Sequence, residues 1–513
     1  MIHEDDPWIE RRIVTGMIVS VDYLREIRPL YNARLLGGTS VSMLADWCLK
    51  HFDKYQTAPG RDIQVIYDAN LRNGLNKDDA ESIESILRSL SDEYERGQFN
   101  VPHLVDQTRN YFQEKNLRNY SDDIRGELLA GNLSEAEKLA SNYKPVAKST
   151  PSAIDPFADA ERIRRAFADP QRPLIRFSKT LGEFWNDQLI RDSFVALMGP
   201  EKRGKSFWLM EFAMRAMMCG CNVAFFQAGD MSELQMIKRL CIYLAKRNDK
   251  AKYCEGIYLP VVDCLDNQFG LCNRKEREST VSVFSPNDAL KDINHEKLVA
   301  ASSAKKNKDY RACRNCKHVR NTVWLVQQPV VEPLDWKSAW RKIKLWQRRH
   351  KKRFRLSTHA NEMLTVAEIK TLLDTWERQE NFVADVVVVD YADILAPDLD
   401  CIRLDYRNQQ NKIWQRLRRL SQQKHCLVLT ATQASARSYN VERNLRLSDF
   451  SETKTKYAHV TAMYGLNQSN EEKKIGIMKI NELVVREGDF DTTNQVKILQ
   501  RLQIGKPYLG SFK

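Results

Sequence analysis

Gly199-Pro200-Glu201-Lys202-Arg203-Gly204-Lys205-Ser206 follows directly on the apolar run Phe194-Val195-Ala196-Leu197-Met198 and precedes a helix-like stretch from Phe207 to Met218. A glycine, four residues, then Gly-Lys-Ser between a strand and a helix is the context that makes a phosphate-binding loop. In such a loop, here Gly199 to Phe207, the backbone N–H groups (all but that of Pro200, which has none) and the helix N-terminus point at polyphosphate oxygens. Lys205 reaches the β- and γ-phosphates, and the Ser206 hydroxyl ligates Mg²⁺. The bare pattern arises by chance in long chains; the strand before it and the helix after it argue against chance here. The chemistry indicated is binding of a nucleoside triphosphate.

A site of this kind needs an acid at the end of a buried strand. Val386-Val387-Val388-Val389-Asp390 supplies one: four β-branched residues read as a central parallel strand, and Asp390 holds Mg²⁺ directly or through water. A third buried run, Cys426-Leu427-Val428-Leu429-Thr430, leads into Ala431-Thr432-Gln433. Gln433 either senses the γ-phosphate or bonds to neighbouring backbone. A fourth, Asn222 to Gln227, ends before Ala228-Gly229-Asp230. Asp230 then either polarises an attacking water or N-caps the helix that starts near Ser232.

These residues carry a resemblance. Phe225-Phe226-Gln227-Ala228-Gly229-Asp230-Met231-Ser232 and the following Glu233 to Leu240 resemble the segment after the phosphate loop in DnaB-type replicative helicases. There a phenylalanine-rich strand leads to Leu-Glu-Met-Ser, and the Glu is the catalytic base. Val389-Asp390-Tyr391 is similar to that family's magnesium-binding strand, and Thr432-Gln433 to its Ser-Gln motif. Leu447-Ser448-Asp449-Phe450 is similar to a Leu-Ser-Asp-Leu that precedes a loop facing the central channel. The resemblance covers about 175–245 and 380–500. It places Asp230 at the base position only if one extra residue is allowed. The family's trans-acting arginine lies near Lys-x-Arg-x-Gly. Val485-Arg486-Glu487-Gly488 keeps the Arg and Gly without the Lys, so Arg486 is the finger or a solvated turn residue, and Lys479 is the substitute cation.

The resemblance implies an α/β protein: a RecA-like P-loop core with a central, mostly parallel sheet, joined to an all-α N-terminal domain. Its cofactors are ATP and Mg²⁺. Its partners are single-stranded DNA, further copies of itself in a ring, by resemblance a hexamer, and a primase and helicase loader. Arg437, Arg443, Arg446, Lys454 and Lys456 fall after the Gln433 strand, where channel loops contact DNA.

At 513 residues the chain is long enough for two or three domains. No run approaches the roughly 20 apolar residues of a membrane span, and Met1 to Asp6 is acidic, unlike a signal peptide. The eleven cysteines are scattered, which suits a reducing cytosol better than a disulfide framework, while the resemblance, with its divergent motifs and large insertion, implies a phage-like lineage and so a bacterial cell or phage-infected host. Net charge is +13, and ten cations without one acid lie between Trp336 and Arg355, interleaved with Trp336, Trp340, Trp346 and Phe354. Cations neutralise phosphates and aromatics stack on bases, so this run suits nucleic acid; the alternative is a solvated helical face over packed tryptophans.

Residues 1–145 show helical spacing of apolar positions, residues 146–175 read as a linker with a short amphipathic helix at Ala158 to Phe167, and 176–513 form the core. The stretch from Ser206 to Asp390 is longer than such a core needs. An insertion is therefore expected at 250–360, polar and without an evident core of its own. It contains Cys264 and Cys272, then Cys313-Arg314-Asn315-Cys316, a set suited to structural Zn²⁺ or else two unrelated pairs of reduced cysteines. The function expected is an ATP-dependent replicative DNA helicase. The alternatives are a RecA- or KaiC-like DNA-dependent ATPase without unwinding, a primase–helicase, and a nucleotide-gated scaffold.

Overall fold

A computed structural model of the chain describes residues 7–72, 74–94, 100–141, 163–164, 167, 172–272, 279–285, 288, 293–314, 320–435, 444–450, 454–486, 488, 491 and 493–513. The chain divides into two compact units, Met1–Pro170 and Gln171–Lys513. Among the described residues no helix is long and apolar enough to cross a membrane.

The described part of the first unit is all helical: Pro7–Val19, Val21–Ile27, Thr39–Tyr55, Asp62–Arg72, Lys77–Tyr94, Val101–Leu129 and Leu133–Ser141. Apolar positions three and four apart put Ile13, Val14 and Met17 on one face, where they meet Leu44, Cys48, Phe52, Leu104 and Phe112 in a single core. Gly16 permits the closest crossing, since a Cβ there would lie 2.7 Å from Leu104 and 2.8 Å from Tyr23. Residues 142–162, which hold most of the expected linker and linker helix, lie outside the described residues.

The second unit is built on one nine-stranded sheet. Its strands are β1 (Phe194–Gly199), β2 (Val223–Gln227), β5 (Phe354–Thr358), β6 (Val386–Asp390), β7 (Leu427–Gln433), β8 (Ala462–Asn467), β9 (Ile477–Val485), β10 (Gln495–Arg501) and β11 (Lys506–Phe512). Their order is β11-β10-β9-β8-β1-β7-β6-β2-β5. Strands β5, β2, β6, β7, β1 and β8 run parallel, and β9 to β11 append an antiparallel edge. All of β1, β2 and β6 are buried, as strands covered on both faces must be. On one face the helices Lys205–Met218 and Glu233–Ala245 cover Val386, Val388 and Phe225 through Trp208, Phe212, Met236 and Tyr243. On the other, Val366–Glu380 and Tyr406–Gln423 cover Val387, Val389 and Phe226 through Ile369, Leu373, Ile413 and Trp414. This is the expected RecA-like architecture: the loop strand β1 sits centrally, with the acid-bearing β6 one strand away across β7.

The expected insertion is corrected in two respects. First, it ends earlier, because β5 lies within 250–360 yet pairs in parallel with β2, Val223 opposite Phe354 through Gln227 opposite Thr358. Second, it is not coreless: its apolar residues form a cluster shared with Ile475, Leu499 and Phe512 at the antiparallel edge of the sheet. Strands β3 (Tyr258–Cys264) and β4 (Asn321–Gln327) pair antiparallel, and Phe269, Phe284, Leu298, Tyr310, Val323, Trp324 and Leu325 pack together over them. Asp263 gathers this region. It is fully buried; its Oδ1 accepts from the backbone N–H groups of Cys264 and Cys313, both at 2.8 Å, and from Asn267 Nδ2 at 3.1 Å. Its Oδ2 accepts from Tyr310 Oη at 2.5 Å and Gln268 Nε2 at 3.0 Å.

The zinc expectation finds no support here. Cys264 is buried and Cys272 and Cys313 are partly exposed, but among the described residues no three His, Cys, Asp or Glu side chains gather in a group that could hold a metal. Cys316 lies outside the described residues.

Candidate nucleotide site

Strand β1 ends at Gly199, and the chain turns through Pro200 to Arg203 before Gly204 enters the helix Lys205–Met218 at φ +88°. That left-handed conformation suits glycine, and a Cβ here would stand 3.0 Å from Leu502, which packs over the loop from the β10–β11 connection. The Lys205 ammonium folds back onto the loop and donates to the Gly199 carbonyl at 2.7 Å and the Pro200 carbonyl at 3.1 Å. Burial lowers its pKa to about 8, against the pull of Asp393, Asp390, Glu201 and Asp230. The amine is thus held at the loop mouth by carbonyls it can exchange for phosphate oxygens.

Ser206, the next residue, donates its hydroxyl to Asp390 Oδ1 at 3.1 Å. Asp390 is 1% exposed, and burial raises its pKa to about 6, while the Ser206 hydrogen bond, Arg239 and Lys205 oppose the rise. Its Oδ2 is buried and has no hydrogen-bond partner. A hydroxyl and a carboxylate side by side, with one carboxylate oxygen left over, are hard oxygen donors of the kind Mg²⁺ takes. The residues present therefore fit that ion.

Asp230 is placed by a close approach of two loops. Gly229 has φ +140°, and a Cβ on it would lie 2.5 Å from the Cα of Asn361 in the segment after β5. Hydrogen bonds lock both sides: Ala228 N–H to the Asp390 carbonyl and His359 N–H to the Gln227 carbonyl, each 2.9 Å. Ser232, not Asp230, caps the helix Glu233–Ala245, in a capping box with Gln235. The capping alternative for Asp230 is thereby removed; the carboxylate is exposed and borders the same cavity as Lys205 and Ser206.

Gln433, at the end of β7, also borders that cavity, and its Nε2 donates to the Tyr391 hydroxyl at 3.1 Å. Beneath it Asp393 accepts from the Thr432 hydroxyl at 2.7 Å and the Gln433 N–H at 3.1 Å through Oδ2. Its Oδ1 accepts from Lys456 Nζ at 2.7 Å. Lys456 is 1% exposed, which corrects its expected place on a DNA-facing loop: its amine is spent on Asp393.

The cavity measures about 570 Å³, within the usual range for small-molecule sites, and its wall includes a residue the sequence did not single out. Arg239 sits over the Phe207 ring at 4.3 Å, its Nη1 is buried without a hydrogen-bond partner, and burial lowers its pKa. The signal was present: Met236, Arg239 and Tyr243 are three and four apart, so a cation interrupts the helix's inward stripe. Arg486 is exposed and donates to the Ala458 carbonyl, away from the residues that border this cavity. Lys479 pairs with Glu472 at 3.0 Å. Arg446 is exposed; Arg437 and Arg443 lie outside the described residues, as does the side chain of Lys454.

No protein-family model matches the sequence, and no curated protein matches it. Among solved structures the chain is similar to a DnaB-like replicative helicase, described with its interactions with primase. The identity is 13%, the TM-score 0.45, and 98% of each chain is covered. It is also similar to a solved ATPase domain of a second protein, at 15% identity and a TM-score of 0.43, over 69% of this chain and 98% of that one.

Proposed function

We propose that this protein is an ATP-hydrolysing motor of the DnaB type, which encircles single-stranded DNA as a ring and unwinds duplex at a replication fork. The observation that carries the ATPase reading is the convergence of Lys205, Ser206, Asp230 and Gln433, from three separate segments, on one cavity, with Asp390 buried directly behind it on the Ser206 hydroxyl. Gly199 to Phe207 wrap the phosphates with backbone N–H groups, and Lys205 exchanges its carbonyl partners for the β- and γ-phosphate oxygens. Ser206 and Asp390 would hold Mg²⁺, which would supply charge neutralisation to the bound phosphates. Asp230 orients the attacking water and accepts its proton on the carboxylate. Gln433, steadied by Tyr391 and by Asp393 beneath it, reports whether the γ-phosphate is present. Arg239 adds positive charge to the same wall.

In a ring, Arg486 or Lys479 of an adjacent copy stabilises charge on the transferred phosphoryl group, and hydrolysis moves the Arg437–Lys454 segment along DNA. A primase and a loader are the partners that belong with this role. Zinc forms no part of the proposal. The helicase-like motifs around Asp230, Asp390 and Gln433 favour a motor over a passive scaffold. Turnover with and without single-stranded DNA tests it, with Lys205→Ala and Asp230→Ala in parallel. DNA-stimulated hydrolysis lost in both variants is expected, and a wild-type protein that binds ATP without turnover refutes the motor. Strand displacement on a forked duplex separates a helicase from a DNA-dependent ATPase without unwinding.

A further inference from the structure

The helix Trp336–Arg349 carries six cations and no acid in 14 residues. Asp335 starts it, accepting from the N–H groups of Lys337 at 2.8 Å and Ser338 at 3.0 Å. Only one edge is spent on the fold: Ala339 is buried, and Trp346 packs against the main core of the sheet. The opposite face is open. Trp336 is 75% and Trp340 54% exposed, large values for the two most costly side chains to leave in water.

At about 100° per residue, Trp336, Lys337, Trp340, Arg341, Lys344 and Arg348 fall within an arc of about 140°. No carboxylate among the described residues pairs with any of the helix's six cations. Two of them lie near the indoles instead: Lys344 Nζ is 4.5 Å from the Trp340 ring centre and Lys337 Nζ 5.8 Å from that of Trp336. Lys344 Nζ also reaches the neutral Gln347 Oε1 at 3.5 Å. Like charges crowded without counter-charge raise the energy of the folded unit unless an anion settles there.

We propose that this face is a second nucleic-acid contact, binding single-stranded DNA through stacking of unpaired bases on Trp336 and Trp340 and through phosphate neutralisation by Lys337, Lys344 and Arg348. The two indoles are one turn apart, about 6 Å along the axis, a spacing that an extended single strand can follow base by base. A duplex keeps its base faces stacked inside and offers the indoles nothing. A membrane is disfavoured for a different reason: an interfacial helix inserts its apolar edge, and here that edge is already docked on the protein. The inference does not depend on ATP hydrolysis, since the helix contributes nothing to the nucleotide cavity.

The test is fluorescence anisotropy of a labelled 20-nucleotide oligodeoxythymidine with the full chain, across a salt series. One variant is Trp336→Ala/Trp340→Ala; the other is Lys337→Gln/Lys344→Gln/Arg348→Gln. The tryptophan variant is expected to bind about fivefold or more weakly at every salt concentration. The charge variant is expected to flatten the log Kd against log salt slope by about 2. ATP turnover without DNA stays at the wild-type level in both. Wild-type affinity and slope in both variants overturn the proposal. So does equal weakening of the oligonucleotide and a 20-base-pair duplex by the charge variant with no effect of the tryptophan pair. Binding to phosphatidylserine vesicles that both variants abolish, with oligonucleotide binding unchanged, reassigns the face to a lipid surface.

Discussion

Replacing Lys456 by Met decides whether this residue serves the fold and the nucleotide site or a DNA loop. Its Nζ lies 2.7 Å from Asp393 Oδ1, with the two side chains 1% and 10% exposed. Breaking a buried pair from one side leaves an uncompensated charge and costs about 3–5 kcal/mol. Asp393 keeps the Thr432 hydroxyl and the Gln433 N–H, so the lower end, about 3 kcal/mol, applies. The exposed Lys412, replaced by Met, is the control and should stay within about 0.5 kcal/mol. Urea denaturation should show Lys456→Met well below both wild type and control. Asp393→Asn/Lys456→Met should lose less than the sum of the single variants, because the second change removes the charge that the first stranded. Turnover should fall with the single change, since Asp393 anchors the Gln433 backbone. A Lys456→Met protein that unfolds like wild type, yet binds single-stranded DNA more weakly, would refute the buried pair and return Lys456 to the DNA loop.

Four further outcomes follow from the same geometry. Burial raises the Asp390 pKa to about 6, above the ordinary carboxylate value, so the unfolded chain releases this proton first. Nucleotide-free stability contributed by this group is therefore present below about pH 4 and is lost as pH rises to about 6, by about 3 kcal/mol, and Asp390→Asn removes that dependence. Mg²⁺ requires the ionised form, so calorimetry should show Mg·ADP affinity about tenfold weaker at pH 5 than at pH 7.5, with metal-free ADP little changed. Gly229→Ala forces a Cβ against Asn361 backbone and displaces Asp230; turnover should drop more than about tenfold while ADP affinity stays near wild type. Asp263→Asn replaces one acceptor oxygen by an NH₂ group that faces two or three of the five donors, so limited proteolysis should open the β3–β4 region before the main sheet.

The parts legible from sequence were those in which one segment carries its own context. The phosphate loop announced itself because strand, glycines, Lys205, Ser206 and helix are contiguous, and Val386 to Asp390 because burial on both faces demands an unbroken apolar run. What stayed hidden depends on partners distant in the chain. Lys456 looked like one more cation on a basic loop, and only the fold brings Asp393, 63 residues earlier, to its amine. The insertion looked polar because, apart from Val323 to Leu325 in β4, its buried apolar residues are scattered singly, as Phe269, Phe284, Leu298 and Tyr310, and close on the edge of the main sheet. Four cysteines then drew attention, whereas the group that gathers the region is one buried carboxylate bonded to backbone and side chains up to 50 residues away. The same logic applies to Arg239. A cation on a helix's inward stripe has to be matched by anions, and in this fold the neighbouring charges are Asp390, buried behind Ser206, and Asp230, which borders the nucleotide cavity. Its pairing is incomplete without nucleotide, since Nη1 is buried with no partner. That unspent donor, on a side chain that borders the cavity, is what separates Arg239 from an arginine whose donors are all satisfied within the fold.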